Sequence, residues 1–238
     1  MYVGIRSTFY RIATIAGQGL LVVLAGELEK RTSTIAMAWS ITFYILAGLF
    51  IAFYLYHSYI LPRPASDKPA VGNVTANNIF KEFFATFASF FKKPQAGVAI
   101  LFMLFYRLPE AQLVKLINPF LLDPIEKGGL GLSTAEVGWV YGTIGIIGLT
   151  LGGIIGGICA AKGGLQKWLW PMAWSISLTC ITFVYLGYFQ PQDLLTINIC
   201  VFIEQFGYGF GFTAYMLYLI YYSDGEHKTA HYAICTAF

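Results

Sequence analysis

Apolar residues run along this chain in blocks of about 20, separated by short polar segments, and that is the length a helix needs to cross the hydrocarbon layer of a bilayer. The blocks predict spans near 7–28, 35–61, 95–122, 134–161, 168–189 and 194–222, with a seventh starting near Thr229 and cut at Phe238. Residues 62–78 hold three prolines, a glycine, an aspartate and two basic residues without apolar periodicity, and predict a linker. Over 79–93, Phe80, Phe83, Phe84, Phe87, Phe90 and Phe91 recur at helical spacing against Lys81, Glu82, Ser89, Lys92 and Lys93. That pattern suits a helix lying in a membrane interface and equally a helix packed on the bundle.

Of 238 residues, 57% are hydrophobic and 11% charged, with mean hydropathy +0.65. A water-soluble fold of this length could not bury so much apolar surface, so the chain is expected to be an all-α polytopic membrane protein with six full spans and part of a seventh. The net charge of +3 is small and its basic residues sit mostly in connecting segments, which argues against a nucleic-acid partner. Arg63, Lys68, Lys81, Lys92 and Lys93 fall in one connection and Lys162 and Lys167 in another, whereas Lys30, Arg31 and Lys127 are offset by neighbouring acids. By the positive-inside rule the N-terminus of this chain and its central linker are cytoplasmic. The first ten residues carry Arg6 but run straight into a full-length apolar block, unlike a cleaved leader.

Cys159, Cys180, Cys200 and Cys235 stand singly among apolar residues and read as small core side chains. His227 and His231 are four residues apart without a third ligand, so neither a metal nor a cofactor is expected.

The chemistry lies in the charged residues placed inside spans. Glu204 is the only formally charged side chain between Leu194 and Tyr222, and a lone carboxylate in hydrocarbon costs roughly 2.5–3.5 kcal/mol on insertion scales. Such groups face a bundle interior or a wet cavity, and packing gives no reason to prefer a carboxylate. Shielded from water, it could take up and release a proton near neutral pH; Arg107 or Lys115 nearby would instead hold it ionised.

In the third span Arg107, Glu110, Lys115 and Asn118 fall within an arc of roughly 140° and Gln112 lies close by, with Pro109 expected to kink the helix. Glu110 can pair with Arg107, and because the stripe continues through Lys115 and Asn118 it reads as cavity-lining rather than as an ion pair that only joins helices. Gln205 adjoins Glu204 as a further cavity residue. Arg11 and Gln18 share a face of the first span, where Arg11 either adds a cation to the cavity or snorkels to headgroups. Gly148, Gly152 and Gly156, and likewise Gly207 and Gly211, are spaced for close helix packing. No catalytic set is apparent: the histidines are not deep in a span beside a serine or cysteine, which disfavours an intramembrane lipid-modifying enzyme. A non-transporting membrane subunit would leave Glu204 and the Arg107 stripe without a purpose.

Tyr106-Arg107-Leu108-Pro109-Glu110-Ala111, Gly129-Leu130-Gly131, Glu136-Val137-Gly138, Gly152, Gly156-Gly157, and Phe202 and Glu204 followed by Gly209, Gly211 and Ala214 stand in this order. Together they resemble the AmpG-type muropeptide permeases of the major facilitator superfamily. The resemblance implies two six-helix halves, a midplane cavity and alternating access, with this chain covering approximately the fifth to eleventh helices. On that basis residues 1–61 look like the last two helices of the N-terminal bundle, 62–94 like the cytoplasmic linker with its interfacial helix, and 95–238 like an incomplete C-terminal bundle.

By resemblance Arg107 and Glu110 match a basic and acidic pair in the seventh helix, Glu204 an acid in the tenth, and Lys162 the basic residue after paired glycines. Glu204 and Glu110 become proton-coupling candidates. Departures are Ala161, where an Asp is usual, and Ala230-His231, where relatives carry Thr-Gln. The first span has Ala16-Gly17-Gln18-Gly19 in place of the antiporter Gly-Pro signature, which favours symport over exchange. The expected role is uptake of amino-sugar peptides with protons across the bacterial inner membrane for cell-wall recycling. The expected partners are the bilayer, solute, proton and the missing helices of the same permease, without which these residues alone are expected to be inactive.

Overall fold

The computed structural model describes residues 13, 15–32, 34–61 and 76–237. These residues form helices without strands, and five helices are long and apolar enough to cross a membrane. A π-helical turn, Ile15–Leu20, leads into α1 (Leu21–Thr32). Then follow α2 (Ile35–Ile60), α3 (Ala76–Phe91), α4 (Ala96–Leu122), α5 (Thr134–Gly163), α6 (Leu165–Phe189), α7 (Leu194–Ser223) and α8 (Lys228–Ala237). Five of the six predicted full spans recur within a few residues as α2, α4, α5, α6 and α7, and the described part of the first is the π-helical turn and α1. Most of the linker, 62–75, and the first turns of the first span lie outside the described residues.

Helix α7 is the axis of the bundle. Around one end, Ile117 and Leu121 of α4, Val137 and Val140 of α5, and Phe183 and Leu186 of α6 close on Ile197 and Val201 of α7. Around the other, Met103 and Tyr106 of α4, Ile176 of α6 and Cys235 of α8 close on Tyr215 and Leu219. The helix–helix approach is set by glycine. A Cβ at Gly148 would lie 2.7 Å from the Phe202 carbonyl oxygen, and one at Gly152 would collide with the Phe206 carbonyl. Gly209 faces back onto Leu149, whereas Gly207 and Gly211 turn to α6, against Thr179 and Met172. The two predicted glycine sets therefore serve different neighbours.

On the far side α1 packs along the first half of α5, again through small residues: a Cβ at Gly19 would meet the Gly142 carbonyl oxygen at 2.7 Å and one at Gly26 would meet Ala135. Gly142 lies in a π-helical stretch of α5, Val140–Gly145. Helix α2 packs chiefly on α1 among the described residues, burying Ala38 and Thr42, and leaves Phe43, Tyr44, Phe50 and Tyr54 more than half exposed. An apolar surface of that extent is stable only in contact with lipid or with further helices. Pro109 and Pro119 both lie inside α4, which is helical from Ala96 to Leu122.

Among the described residues, two helix starts carry side-chain caps. Ser133 accepts from the Glu136 backbone N–H at 3.3 Å while the Glu136 carboxylate accepts from the Ser133 N–H at 2.8 Å, a reciprocal box at the head of α5. Ser133→Ala is expected to cost about 1 kcal/mol, read as a lowered unfolding midpoint in detergent. At the head of α7 the Asp193 carboxylate accepts from the Thr196 N–H at 2.9 Å. The Thr196 hydroxyl and its backbone N–H hold the Asp193 carboxyl below its ordinary range. A depressed folded value means the cap is intact above the unfolded group's titration and is lost as pH falls through the folded one. Amide exchange at Thr196 should accelerate with acidification over and above its intrinsic pH dependence, and Asp193→Asn should remove that extra response.

Candidate functional site

Between the two apolar layers lies one polar layer, built from α4, α5, α6 and α7. At 1.5 Å per residue Glu204 sits roughly 15 Å from the Leu194 end of α7 and Arg107 roughly 16 Å from the Ala96 end of α4, so both are deep in their spans. Glu204 is 1% exposed, Glu110 4% and Gln205 5%.

The Glu110 carboxylate accepts from the Arg107 guanidinium at 3.2 Å, as the i,i+3 spacing predicts. That guanidinium also stands 5.4 Å from the Phe212 ring centre and 5.8 Å from that of Tyr215, so α7 supplies it with aromatic faces. Its Nε is buried without an acceptor.

Glu204 has no cation within ion-pair distance among the described residues. Its carboxyl accepts from the Gln205 amide at 2.9 Å, and the same amide group donates to the Tyr141 hydroxyl at 3.3 Å. Glu110 and Glu204 lie within electrostatic reach of one another, with Tyr141, Tyr208 and Cys180 inside the same field. A buried carboxyl with one neutral partner is stable as the acid and ionises when water or a cation reaches it. Tyr141 belongs to the π-helical stretch of α5, whose Gly145 would place a Cβ 3.2 Å from the Gln205 side chain. Extra turns of this kind often occur at functional sites because they re-aim side chains without ending the helix.

Of the stripe expected on α4, Arg107 and Glu110 join this layer, whereas Lys115 and Asn118 are exposed farther along the helix. The reason is geometric: the buried face of α4 runs through Met103, Tyr106, Glu110, Ile117 and Leu121, and a 140° arc extends past its edge. Arg11 and the side chain of Gln18 lie outside the described residues. Lys162 is exposed in the last turn of α5. Tyr141, Tyr208, Phe212 and Tyr215 were not singled out by the sequence. Tyr208, Phe212 and Tyr215 follow Glu204 at four, eight and eleven residues, a helical stripe that would have pointed to the last three. Tyr141 left no such signal, because the π-helical stretch shifts its register. Asn198 Oδ1, also buried without a partner, borders a cleft of about 350 Å³ with Trp139 and Glu136.

The major facilitator superfamily profile matches residues 1–237, and the chain belongs to that family. It is a multi-pass membrane protein. It is 30% identical over 160 residues to a Rickettsia typhi protein named as a transporter, AmpG 2, covering 67% of this chain and 38% of that one. It is 27% identical over 223 residues to a Rickettsia felis protein named as a transporter, AmpG 4, covering 92% of this chain and 51% of that one. A Haemophilus influenzae protein without a described function is 22% identical over 237 residues, covering 96% of this chain and 51% of that one. The chain spans about half the length of the curated relatives it matches, or less. No solved structure matches it.

Proposed function

We propose that this chain contributes one side of a proton-coupled uptake pathway for muropeptide-type solutes, working by alternating access in the bacterial inner membrane. The observation that carries this reading is Glu204, a carboxyl 1% exposed and without a cation partner among the described residues, one hydrogen bond from Gln205 and within electrostatic reach of Glu110. Such a group costs stability in a membrane bundle and has a use when it changes protonation as the surroundings open. Arg107, paired with Glu110 and partly exposed, supplies a cation and donors for a carboxylate of a peptide-bearing solute. The AmpG names of the Rickettsia relatives favour amino-sugar peptides as that solute. Residues 1–61 and residues 95–238 would then belong to two halves that rock against each other, with Lys115 and Asn118, exposed on α4, facing the other half.

Alternating access needs both halves, so the test uses a chimera in which this chain replaces the matched half of the Rickettsia felis relative, alongside the chain alone. Labelled anhydromuropeptide is expected to concentrate in chimera vesicles when an inward proton gradient is imposed, and to stop doing so with a protonophore. Uptake indifferent to the gradient, or displaced equally by unrelated sugars and peptides, would remove the coupling or the solute respectively.

A further inference from the structure

Helix α3, which joins two groups of spans, has three faces, and one of them is covered by protein. Thr86, Ser89 and Phe90 lie on the bundle: Phe90 is fully buried, its ring 5.8 Å from that of Tyr222 and 5.7 Å from that of His231, and Ser89 Oγ lies 2.8 Å from His231 Nε2. At about 100° per residue, Phe80, Phe83, Phe84, Phe87 and Phe91 occupy a second arc, each 40–64% exposed. Lys81, Ala85, Ala88 and Lys92, all exposed, form the third. The choice between an interfacial helix and one packed on the bundle, left open by the sequence, thus has a geometric answer: the helix docks by an edge and leaves its aromatic face uncovered among the described residues.

Its level is fixed as well. Lys93 Nζ donates to the Tyr222 carbonyl at 2.6 Å and to the Asp224 carbonyl at 2.8 Å, pinning the end of α3 to the last turn of α7, and α4 begins at Ala96. The helix is therefore held where two spans leave the hydrocarbon. Lys93 is engaged in that contact, whereas Lys81 and Lys92 make no ion pair among the described residues.

We propose that α3 lies in the surface of a phospholipid bilayer containing anionic lipid, with the exposed phenylalanine arc in the upper acyl region and Lys81 and Lys92 at the headgroup phosphates. Three features select the bilayer. The helix sits at the height of span ends, its aromatic arc suits the membrane–water boundary, and Lys81 and Lys92, without an ion pair among the described residues, lie along one edge of that arc where anionic headgroups would meet them. Through Lys93 and the Ser89–His231 contact, a change in the depth of α3 reaches α7 and α8 directly.

The test is fluorescence of the whole chain reconstituted in vesicles, taken as the difference between a tryptophan variant and the parent. The extra emission of Phe84→Trp is expected to be largely lost with lipid brominated high on the acyl chain, and that of Ala85→Trp retained. Emission of Phe84→Trp that brominated lipid leaves intact would overturn the proposal, showing the arc in water or under protein. Equal quenching of both variants would overturn it too. Phe80→Trp repeats the reading should Phe84→Trp not assemble. Combining Lys81→Gln and Lys92→Gln with Phe84→Trp should reduce quenching in phosphatidylglycerol-containing vesicles and leave it unchanged in neutral ones. An equal response in the two vesicle types would remove the anionic-lipid part.

Discussion

Glu204→Gln is expected to abolish concentrative uptake while leaving solute exchange intact. One proton moved through a membrane potential of about 100 mV supplies roughly 2.3 kcal/mol, which corresponds to about 50-fold accumulation of a solute carried with it. The substitution keeps the size of the side chain, and its amide oxygen can still accept from the Gln205 amide, which lies 2.9 Å from the present carboxyl and itself donates to the Tyr141 hydroxyl at 3.3 Å. The fold should survive, and what disappears is the titratable proton. Accumulation in chimera vesicles should therefore fall from tens-fold to about equality across the membrane, with counterflow of labelled against unlabelled solute continuing. The parent's uptake should decline as external pH rises and the variant's should be flat. A variant that still concentrates solute on a pH gradient alone would place coupling elsewhere, with Glu110 the next candidate because it shares the same buried layer.

What the sequence made legible divides along physical lines. Spans are set by runs of transfer free energy, so their ends came within a few residues, as for Ile35–Ile60 and Leu194–Ser223. The polar core was legible because Glu204 and the Arg107–Glu110 pair are costly where they stand. Lys115 and Asn118 were grouped with them by angle alone, and angle does not reveal how wide a face the neighbours cover; α4 buries a narrower strip than the charged stripe spans. The aromatic lining of Arg107 was obscured by composition, since with 20 Phe and 16 Tyr in the chain a tyrosine at helical spacing attracts no notice. Glycine spacing announced close packing but not the partner: Gly207 and Gly211 meet α6, and Gly209, between them in sequence, meets α5.

That last distinction yields the largest expected stability effect. In a bilayer the helices gain little from hiding apolar surface from one another, so their association rests on contact distance and shape. At Gly152 the backbones of α5 and α7 are so close that a Cβ would strike the Phe206 carbonyl and lie 2.9 Å from the Phe210 nitrogen, neither of which can swing aside as a side-chain end does. Gly148 and Gly156, one turn to either side, meet Phe202 and Thr213 at 2.7 and 2.8 Å, so separating the helices at Gly152 loosens all three contacts together. Gly152→Val should cost about 3 kcal/mol or more, beyond ordinary overpacking, because the backbone itself has to move. Because Phe206, which Gly152 meets, is next to Gln205 in α7, the substitution should also disturb the Gln205–Tyr141 contact, and with it proton coupling. Gly157 is the control on the same helix: a Cβ there meets nothing within 4 Å, so Gly157→Ala should be neutral or stabilising by roughly 0.5–1 kcal/mol through the helix preference of alanine. Unfolding midpoints measured in the same detergent should separate the two substitutions. Equal midpoints would mean that the glycine ridge of α5 does not set its distance from α7.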